Sequence, residues 1–376
     1  MKAVGIVAEY NPLHRGHLRH LELTRAACPG VPIVVCMSGN WVQRGECAIA
    51  DKWTRARWAV ENGVDLVVEL PTVLALSSAQ IFARSAVSIL TAAGVSHLSF
   101  GCEDPDLPRL QKLAAALNAP EFDAALGPFL DQGLSYPAAR QKALEGLVGA
   151  DTARLVEKPN NNLAVEYLSA TRVNITPIAI PRIGAHDGPL EQEYPSASAI
   201  RSLLLKGDIT SAQPHLATPW QSPVYDIRRL ETLILCKLRQ MSPEDLAALP
   251  DGSDGLGQRL WKAAREAGSL DELYTLAKTK RFTAARIRRL ALWAALGLTS
   301  SDRPTAPEYL RVLAMTQAGA AHLATLKKTC LLPILTKPAD HKELLQTESR
   351  LTDVFSLCAP DPLPCGEEWT HSPAVV

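Results

Sequence analysis

The sequence predicts an α/β protein in which a doubly wound parallel sheet is followed by an all-α C-terminal domain. Over the first two hundred residues, short apolar runs alternate with helical segments, which is typical of strands buried on both faces of a sheet. From residue 226 onward the apolar residues recur at helical spacing. A polar turn with two histidines joins the first apolar run to the first helix, and such sheets bind ligands in these turns.

The predicted strands are short apolar runs, and the segments between them have helical periodicity. Asp51 is a favourable N-cap, Pro71 stops the third strand, and Gly94 ends the helix that follows it. The strands are predicted at 3–8, 32–37, 65–70, 95–100 and 175–180. The helices are predicted at 15–27, 51–63, 77–93 and over most of 107–147.

The composition changes after residue 207. Residues 210–223 are rich in Pro, Ser and Thr, which indicates a linker, and helical spacing then continues through 284–296. The Pro-rich end is expected to be mobile. We therefore predict four parts, namely a catalytic domain at 1–207, a linker at 208–224, a helical domain at 225–358 and a tail at 359–376.

The balance of charge limits the possible partners. The chain has 39 basic and 39 acidic side chains, so a nucleic acid would need a local basic patch. Eight cysteines without a Cys-x-x-Cys pair argue against a zinc ribbon or a disulfide framework and indicate a reducing compartment. No leader and no apolar run of about 20 residues is visible, which predicts a soluble cytoplasmic protein without a membrane partner. The oligomeric state stays open.

The turn after the first strand carries the candidate chemistry. His14 at the predicted N-cap and His17 one turn later face the same way, and Gly16 lets a ligand approach the backbone. A helix N-terminus is a natural seat for phosphates, and two imidazoles there suit the charge that builds on an α-phosphate under attack. Such a pair is also often a surface or cap feature. With His20 it forms a stripe, but no Cys or carboxylate completes a metal site.

The segment Asn11-Pro12-Leu13-His14-Arg15-Gly16-His17 resembles the His-x-Gly-His signature of the HUP-fold (Rossmann-like) nucleotidyltransferases. Further blocks narrow the resemblance to the bacterial tRNA(Met) cytidine acetate ligase family, TmcAL. These blocks are 37–46, 65–71, 99–103, 159–163, 181–184 and 307–314. The resemblance covers nearly the whole chain and is specific in its first two hundred or so residues.

The resemblance implies an ATP-dependent ligase that activates acetate as acetyl-adenylate and releases pyrophosphate. The acetyl group would then pass to the N4 amine of the wobble cytidine of elongator tRNA(Met), forming N4-acetylcytidine. His14 and His17 would be catalytic, stabilising the pentacovalent phosphate and the leaving pyrophosphate. ATP is the implied substrate, and Mg²⁺ would be held by phosphates and water more than by protein. No acyl pocket and no base for the second step are legible in the sequence.

Two other functions remain possible. One is a small-molecule adenylyltransferase with the same signature, in which a substrate phosphate is the nucleophile. The long helical domain argues against it. The other is a non-catalytic RNA-binding or nucleotide-sensing module, which the intact His14, Gly16 and His17 argue against.

Two strand-end residues are predicted to contact ATP. Gly101 lets an adenine or ribose lie against the backbone, although a plain turn explains a glycine there equally well. Arg182 follows the fifth strand, where its planar fork suits a polyphosphate; a surface ion pair is the alternative.

The resemblance adds two helix-start positions. One asparagine at 160–162 would contact ATP, with Asn160 and Asn161 as candidates and an N-cap as the alternative. Ser198 and Arg201 match a Ser-[Ser/Thr]-x-x-Arg phosphate-binding turn in which Ala197 replaces the first serine, so the role of Ser196 is less defined. The complete predicted ATP-binding set is Val7, Ala8, Glu9, Tyr10, Asn11, Pro12, Leu13, His14, Arg15, Gly16, His17, Leu18, Arg19, His20, Gly101, Asn160, Asn161, Arg182 and Ser198.

The predicted contacts with tRNA are basic residues in two places. Arg44 follows the second strand and faces either substrate phosphate or RNA, with a solvated loop as the alternative. The other six basic residues fall within twelve positions with no acid between them, which favours an RNA-backbone contact over the usual solvated helix face. They are Lys278, Lys280, Arg281, Arg286, Arg288 and Arg289. Glu69 is expected to be a buried structural acceptor instead of a site carboxylate.

Overall fold

The computed structural model describes residues 2–171, 174–183 and 194–376. Its strands are β1 Val4–Ala8, β2 Ile33–Ser38, β3 Trp41–Val42, β4 Glu46–Cys47, β5 Leu66–Leu70, β6 His97–Cys102, β7 Thr176–Pro181, β8 Leu310–Met315, β9 Ile334–Leu335 and β10 Ala374–Val375. The α-helices are α1 Arg15–Ala27, α2 Lys52–Glu61, α3 Thr72–Ala75, α4 Ala79–Ala92, α5 Leu107–Leu117, α6 Glu121–Asp131, α7 Tyr136–Val148, α8 Ala150–Ala153, α9 Pro159–Ala170, α10 Ala197–Leu205, α11 Ile209–Ala212, α12 Glu231–Gln240, α13 Pro243–Ala248, α14 Leu256–Glu266, α15 Leu270–Ala277, α16 Ala284–Ala295, α17 Gln317–Leu326, α18 Lys342–Phe355 and α19 Glu367–Thr370.

The central sheet has the order β10-β8-β5-β2-β1-β6-β7, with β9 on β8. The chain moves outward from β1 through β2 to β5 and then returns to the other side of β1 with β6 and β7. The strand order therefore reverses between β1 and β6, which pair in parallel with Val4 opposite His97. A crevice opens at the carboxyl ends of the strands at such a switch point, and this is where ligands bind in open α/β sheets.

The predicted fold class is confirmed as an α/β sheet of mostly parallel strands with a helical C-terminal region. All five predicted strands are present. The prediction of an all-α C-terminal domain is wrong at β8, which lies antiparallel to β5 with Leu66 opposite Met315. The six residues of β8 are almost entirely apolar and buried, and so short a run cannot be distinguished from a buried helix turn by periodicity.

The prediction of a mobile tail at 359–376 is also wrong. Ala374 and Val375 form β10 beside β8, and His371 stacks on Trp53 with ring centroids 3.9 Å apart. Glu368 is fully buried. The tail is fixed by contacts with residues from 60 to more than 300 positions earlier, which its own composition could not reveal.

Four charged side chains form a buried ion cluster at the carboxyl end of β5. Lys52 Nζ lies 2.7 Å from Glu69 Oε1 and 3.0 Å from the carboxylate of Glu368. Arg311 of β8 contacts Glu368, and its Nε lies 3.5 Å from Glu69 Oε2. All four side chains are at most 1% exposed. Glu69 is therefore a structural partner, as expected, and the cluster links the N-terminal strands to the end of the chain.

The predicted linker crosses the histidine turn. Leu216 is buried and forms an isolated β-bridge with His14, and Trp220 packs on Trp58 at 5.3 Å between ring centroids. Ala217 N–H also donates to the carbonyl of Leu13 at 3.2 Å. The boundaries at 207 and 225 stay predictions. Within the described residues, none of the helices combines the length and the apolar character needed to cross a membrane.

Candidate active site

A cavity of about 280 Å³ opens at the switch point between β1 and β6. Most of the predicted ATP-binding residues line it, namely Val7, Ala8, Glu9, Tyr10, Asn11, His14, Gly16, His17, Arg19, His20, Gly101, Asn160, Arg182 and Ser198. Five predicted residues do not, namely Pro12, Leu13, Arg15, Leu18 and Asn161. Side chains of a turn and a helix point in several directions, so an unbroken run from 7 to 20 could not all face one ligand.

His14 and His17 cap the helix that begins at Arg15. The His14 ring accepts a hydrogen bond at Nδ1 from the Gly16 N–H at 3.1 Å, and His17 Nδ1 accepts one from the His14 N–H at 3.3 Å. The two rings lie 3.8 Å apart between centroids. Because Nδ1 accepts in both rings, each neutral imidazole carries its proton on Nε2. Both therefore present an N–H donor in a cavity that a ligand can enter.

The neutral form of these rings is favoured by burial. Desolvation lowers the pKa of His14 to about 3, with a further contribution from the positive charges of Arg182 and Arg201. Burial lowers the pKa of His17 well below its ordinary value, and the neighbouring His14 ring adds to the effect. Burial likewise lowers the pKa of His20 to about 4. At neutral pH the three rings are thus uncharged, and those of His14 and His17 act as donors through Nε2.

We expect these imidazoles to destabilise the fold as the pH falls from about 6.5 to 4. In that window the unfolded chain binds protons near the ordinary imidazole pKa of about 6.5, whereas the buried rings stay neutral. The unfolded state then binds more protons, so the free energy of unfolding decreases as the pH falls. The urea midpoint at pH 7 and pH 5 measures this. His20 Nε2 lies 2.9 Å from Ser99 Oγ, and His20→Gln, which retains a group able to make this hydrogen bond, should show a smaller decrease. Equal decreases in both proteins would contradict it.

Two glycines of the wall make room for neighbouring side chains. A Cβ on Gly16 would lie 2.9 Å from Cε1 of His14, so the ring could not fold back over the helix end. A Cβ on Gly101 would lie 3.2 Å from Cγ of Arg182. Gly101 therefore makes room for the arginine as well as for a ligand.

Arg182 and Asn160 form a polar edge of the cavity. Arg182 Nη1 donates to Asn160 Oδ1 at 3.0 Å, and Asn160 Nδ2 donates to Glu103 Oε1 at 2.6 Å. Asn161 instead is fully buried, and its Oδ1 accepts from the N–H groups of Glu103 and Asp104 at 3.0 and 3.1 Å. Of the two candidate asparagines, Asn160 is the one that faces the cavity. Gly184 of the same motif block lies outside the described residues.

Replacing the two asparagines is expected to have different effects. Asn160→Ala should raise the KM for ATP with little change in melting temperature, because its side chain faces the cavity. Asn161→Ala should lower the melting temperature, because it leaves two buried backbone N–H groups without an acceptor, at about 1–3 kcal/mol each. Thermal denaturation and ATP saturation curves of both variants provide the measurement. The reverse assignment of effects would show that Asn161 is the contact.

The start of α10 supplies a further anion-binding edge. Ser196 is its N-cap, with Oγ accepting from the Ala199 N–H at 3.2 Å, whereas Ser198 lines the cavity. Arg201 donates to Ser198 Oγ at 3.1 Å and to the carbonyl of Asn11 at 2.7 Å. The sequence motif had included Arg201, but the predicted ATP set omitted it.

The sequence did not predict the apolar residues that line the rest of the cavity. The aromatic part of this wall consists of Phe82 on α4, Phe100 on β6, Tyr167 on α9 and Tyr194, together with Leu163. In the sequence, apolar and aromatic residues that line a cavity look the same as residues of the core, so no sequence signal could have assigned them.

The cavity is predominantly cationic. Arg19, Arg44, Arg182 and Arg201 line it, and Glu9 is the single carboxylate among the described lining residues. Glu9 Oε1 accepts from the Gln43 N–H at 2.8 Å, and burial raises the pKa of Glu9 against the effect of that bond. Four guanidinium groups around two N–H donors and a helix N-terminus suit a polyanionic ligand.

The six clustered basic residues at 278–289 do not form one exposed surface. Arg289 is 5% exposed and its Nε lies 2.6 Å from Asp251 Oδ2, while Arg286 contacts Asp251 and Asp254. A contact between RNA and Arg289 is therefore contradicted by its burial. The carboxylate partners lie 32 to 38 positions earlier in the chain, outside the twelve residues that contain the basic cluster. Lys278, Lys280 and Arg281 are exposed.

Comparison with known proteins gives consistent matches over the whole chain. The family model described as HIGH Nucleotidyl Transferase matches residues 1–366. A protein named tRNA(Met) cytidine acetate ligase from Caldanaerobacter subterraneus subsp. tengcongensis is 36% identical over 95% of each chain. A protein of the same name from Acetivibrio thermocellus is 35% identical over 99% of each chain.

Two solved structures are similar to this one over their full length. The apo crystal structure of Thermotoga maritima TmcAL superposes with a TM-score of 0.92 at 30% identity, covering 100% of both chains. A second structure of the same protein, bound with alpha-thio ATP, has a TM-score of 0.90. The matched chains therefore share both the sheet and the helical region described above.

Proposed function

Since this chain belongs to the tRNA(Met) cytidine acetate ligase family of HIGH nucleotidyl transferases, we propose that it activates acetate with ATP and acetylates the wobble cytidine of elongator tRNA(Met). The observation that carries the proposal is the pair of neutral imidazoles whose Nε2–H donors face a cationic cavity at a helix N-terminus. Small-molecule adenylyl transfer and non-catalytic RNA binding are less well supported, since the relatives match over nearly their full length.

In the first step a carboxylate oxygen of acetate attacks the α-phosphorus of ATP, and the bond to the bridging oxygen of pyrophosphate breaks. Negative charge increases on the α-phosphate oxygens and on the leaving group. The Nε2–H groups of His14 and His17 would donate to these oxygens, and Arg182 and Arg201 would neutralise the polyphosphate. Ser198 would add a hydroxyl donor from the start of α10.

In the second step the N4 amine of cytidine attacks the acetyl carbonyl, and AMP leaves with the bonding electrons. The amine loses one proton, which AMP or solvent can accept. Because acetyl-adenylate is a mixed anhydride, its carbonyl is already activated, and the residues that matter most are those that orient the amine. The side chains of Phe82, Phe100 and Tyr167 line the cavity and would form an apolar wall beside the reacting groups.

Magnesium fits this site mainly as a partner of the phosphates. The described residues contain no group of three His, Cys, Asp or Glu that could hold a metal ion, and Glu9 is the one carboxylate among the described residues that line the cavity. Mg²⁺ usually keeps several waters and binds through substrate phosphates, so its contribution would be charge neutralisation on ATP.

The two parts of the chain would have different functions. Residues 1–207 would carry the chemistry, and residues 225–358 would contribute to tRNA binding. All eight cysteines are free thiols, which together with ATP and tRNA as substrates supports a cytoplasmic location.

The proposal is tested by incubating the protein with ATP, labelled acetate and elongator tRNA(Met), followed by mass analysis of the tRNA nucleosides. We expect N4-acetylcytidine to form with both co-substrates present and pyrophosphate exchange to depend on acetate. Exchange that requires a phosphorylated small molecule instead of acetate would favour an adenylyltransferase. Absence of any ATP turnover would favour the non-catalytic RNA-binding or nucleotide-sensing module.

A further inference from the structure

A second cavity of about 400 Å³ adjoins the first one and is lined mostly by basic residues. It shares Arg44, Ser198 and Arg201 with the first cavity, so the two cavities lie side by side. Its other charged lining residues are Lys206, Arg228, Arg288 and Glu46. We call it the basic groove, and it is built from four segments that are distant in sequence.

We propose that the basic groove binds the phosphodiester backbone of the tRNA next to the cytidine that enters the first cavity. This inference rests on the proposed function and assigns a place to its RNA substrate. It replaces the predicted 278–289 cluster as the principal RNA contact, although Arg288 belongs to both.

Covalent geometry fixes where the phosphates next to the bound cytidine must lie. A base whose amine reaches the reacting carbonyl remains attached to its ribose and to the phosphates on either side. Those phosphates must therefore lie at the rim of the first cavity, within about one nucleotide of the buried base. The groove begins at this rim, whereas Lys278 and Lys280 line neither cavity.

The charge of the groove suits phosphate. Five cationic side chains and one carboxylate line it among the described residues, and Glu46 is ion-paired with Arg288. Asp226 contacts Nε and Nη2 of Arg228 at 2.8 and 2.6 Å, so Nη1 can still donate to another acceptor. Guanidinium groups held in this way bind phosphate oxygens with less loss of side-chain entropy.

A close backbone contact fixes one wall of the groove. Gly45 has a φ of +76°, and a Cβ there would lie 2.5 Å from the backbone nitrogen of Arg289. The β3–β4 turn therefore lies directly on α16, which brings Arg44 beside Arg288. Glycine at position 45 thus connects the sheet region to the helical region at the proposed RNA site.

The test compares two double variants that remove the same charge from exposed positions. Lys206→Ala/Arg228→Ala alters the groove, and Lys278→Ala/Lys280→Ala is the matched control. Affinity for an elongator tRNA(Met) transcript is measured without ATP between 50 and 200 mM KCl. Acetate-dependent pyrophosphate exchange is measured without tRNA.

For the groove variant we expect the slope of log affinity against log salt to decrease by about 1.4 to 1.8, for two lost phosphate contacts. Affinity at low salt should fall about tenfold, while exchange stays unchanged. The control should leave slope and affinity close to those of the unmodified protein. An unchanged slope in the groove variant, or an equal decrease in the control, would overturn the proposal.

A second variant and a competition experiment distinguish loss of RNA binding from loss of folding and from binding of an acidic protein. If Arg228→Ala lowers the melting temperature, the single Lys206→Glu variant tests the same surface, because Lys206 is exposed at the end of α10. Tighter binding of polyglutamate than of tRNA at equal charge concentration would assign the groove to an acidic protein and overturn the proposal. Lack of acetate-dependent pyrophosphate exchange in the unmodified protein would contradict the proposed function. RNA binding in the groove is tested independently, by the salt dependence of tRNA affinity.

Discussion

Replacing His17 with asparagine is expected to slow acetyl-adenylate formation by about 10²-fold or more. An asparagine Oδ1 can still accept the hydrogen bond that His17 Nδ1 accepts from the His14 N–H, so the helix cap is retained. What is lost is the Nε2–H donor that would stabilise charge on the α-phosphate. Acetate-dependent pyrophosphate exchange measures this step without tRNA.

The controls separate chemistry from folding. The melting temperature of His17→Asn should stay close to that of the unmodified protein. His20→Gln changes an imidazole of the same stripe that bonds Ser99 Oγ at 2.9 Å, and its effect on exchange should be much smaller. An exchange rate of His17→Asn equal to that of the unmodified protein would show that this ring has no part in the reaction.

Replacing Glu368 with alanine is expected to lower the free energy of unfolding by about 3–5 kcal/mol. Glu368 contacts Lys52 and Arg311 in the buried ion cluster and accepts from Thr352 Oγ1 at 2.7 Å. Removing it leaves two fully buried cations with too few carboxylates. Urea denaturation gives the free energy directly.

Glu367→Ala is the matched control, because this neighbouring carboxylate is only partly buried and contacts neither cation. Its effect on stability should be within about 0.5 kcal/mol. The interpretation of the ion cluster would be wrong if both variants lost the same small amount of stability.

Local sequence patterns predicted most of the strands and helices of the N-terminal half. The five strands, the helix after the first strand and the histidine pair followed from short apolar runs, a helix cap and one glycine. These features depend on neighbours within a few positions, so a linear pattern contains them. Asn160 could be separated from Asn161 only with coordinates, since a helix start exposes one asparagine and buries the next.

The errors share a different cause. Strand β8, the ordered tail and the neutralised Arg289 all depend on partners that are distant in sequence. Arg289 pairs with Asp251, and Arg311 pairs with Glu69 and Glu368. A window of a dozen residues counts the arginines but not the carboxylates that meet them in the folded chain.

The order in which the chain is synthesised gives the buried ion cluster one more consequence. Lys52 and Glu69 leave the ribosome early, but Glu368 is 316 positions after Lys52. Until Glu368 has been synthesised, the ammonium group of Lys52 lacks one of its two carboxylate partners, and the sheet lacks β10. The nascent N-terminal half must therefore wait for this segment before it reaches its final packing, and products truncated before Glu368 should be targets for chaperones and proteases.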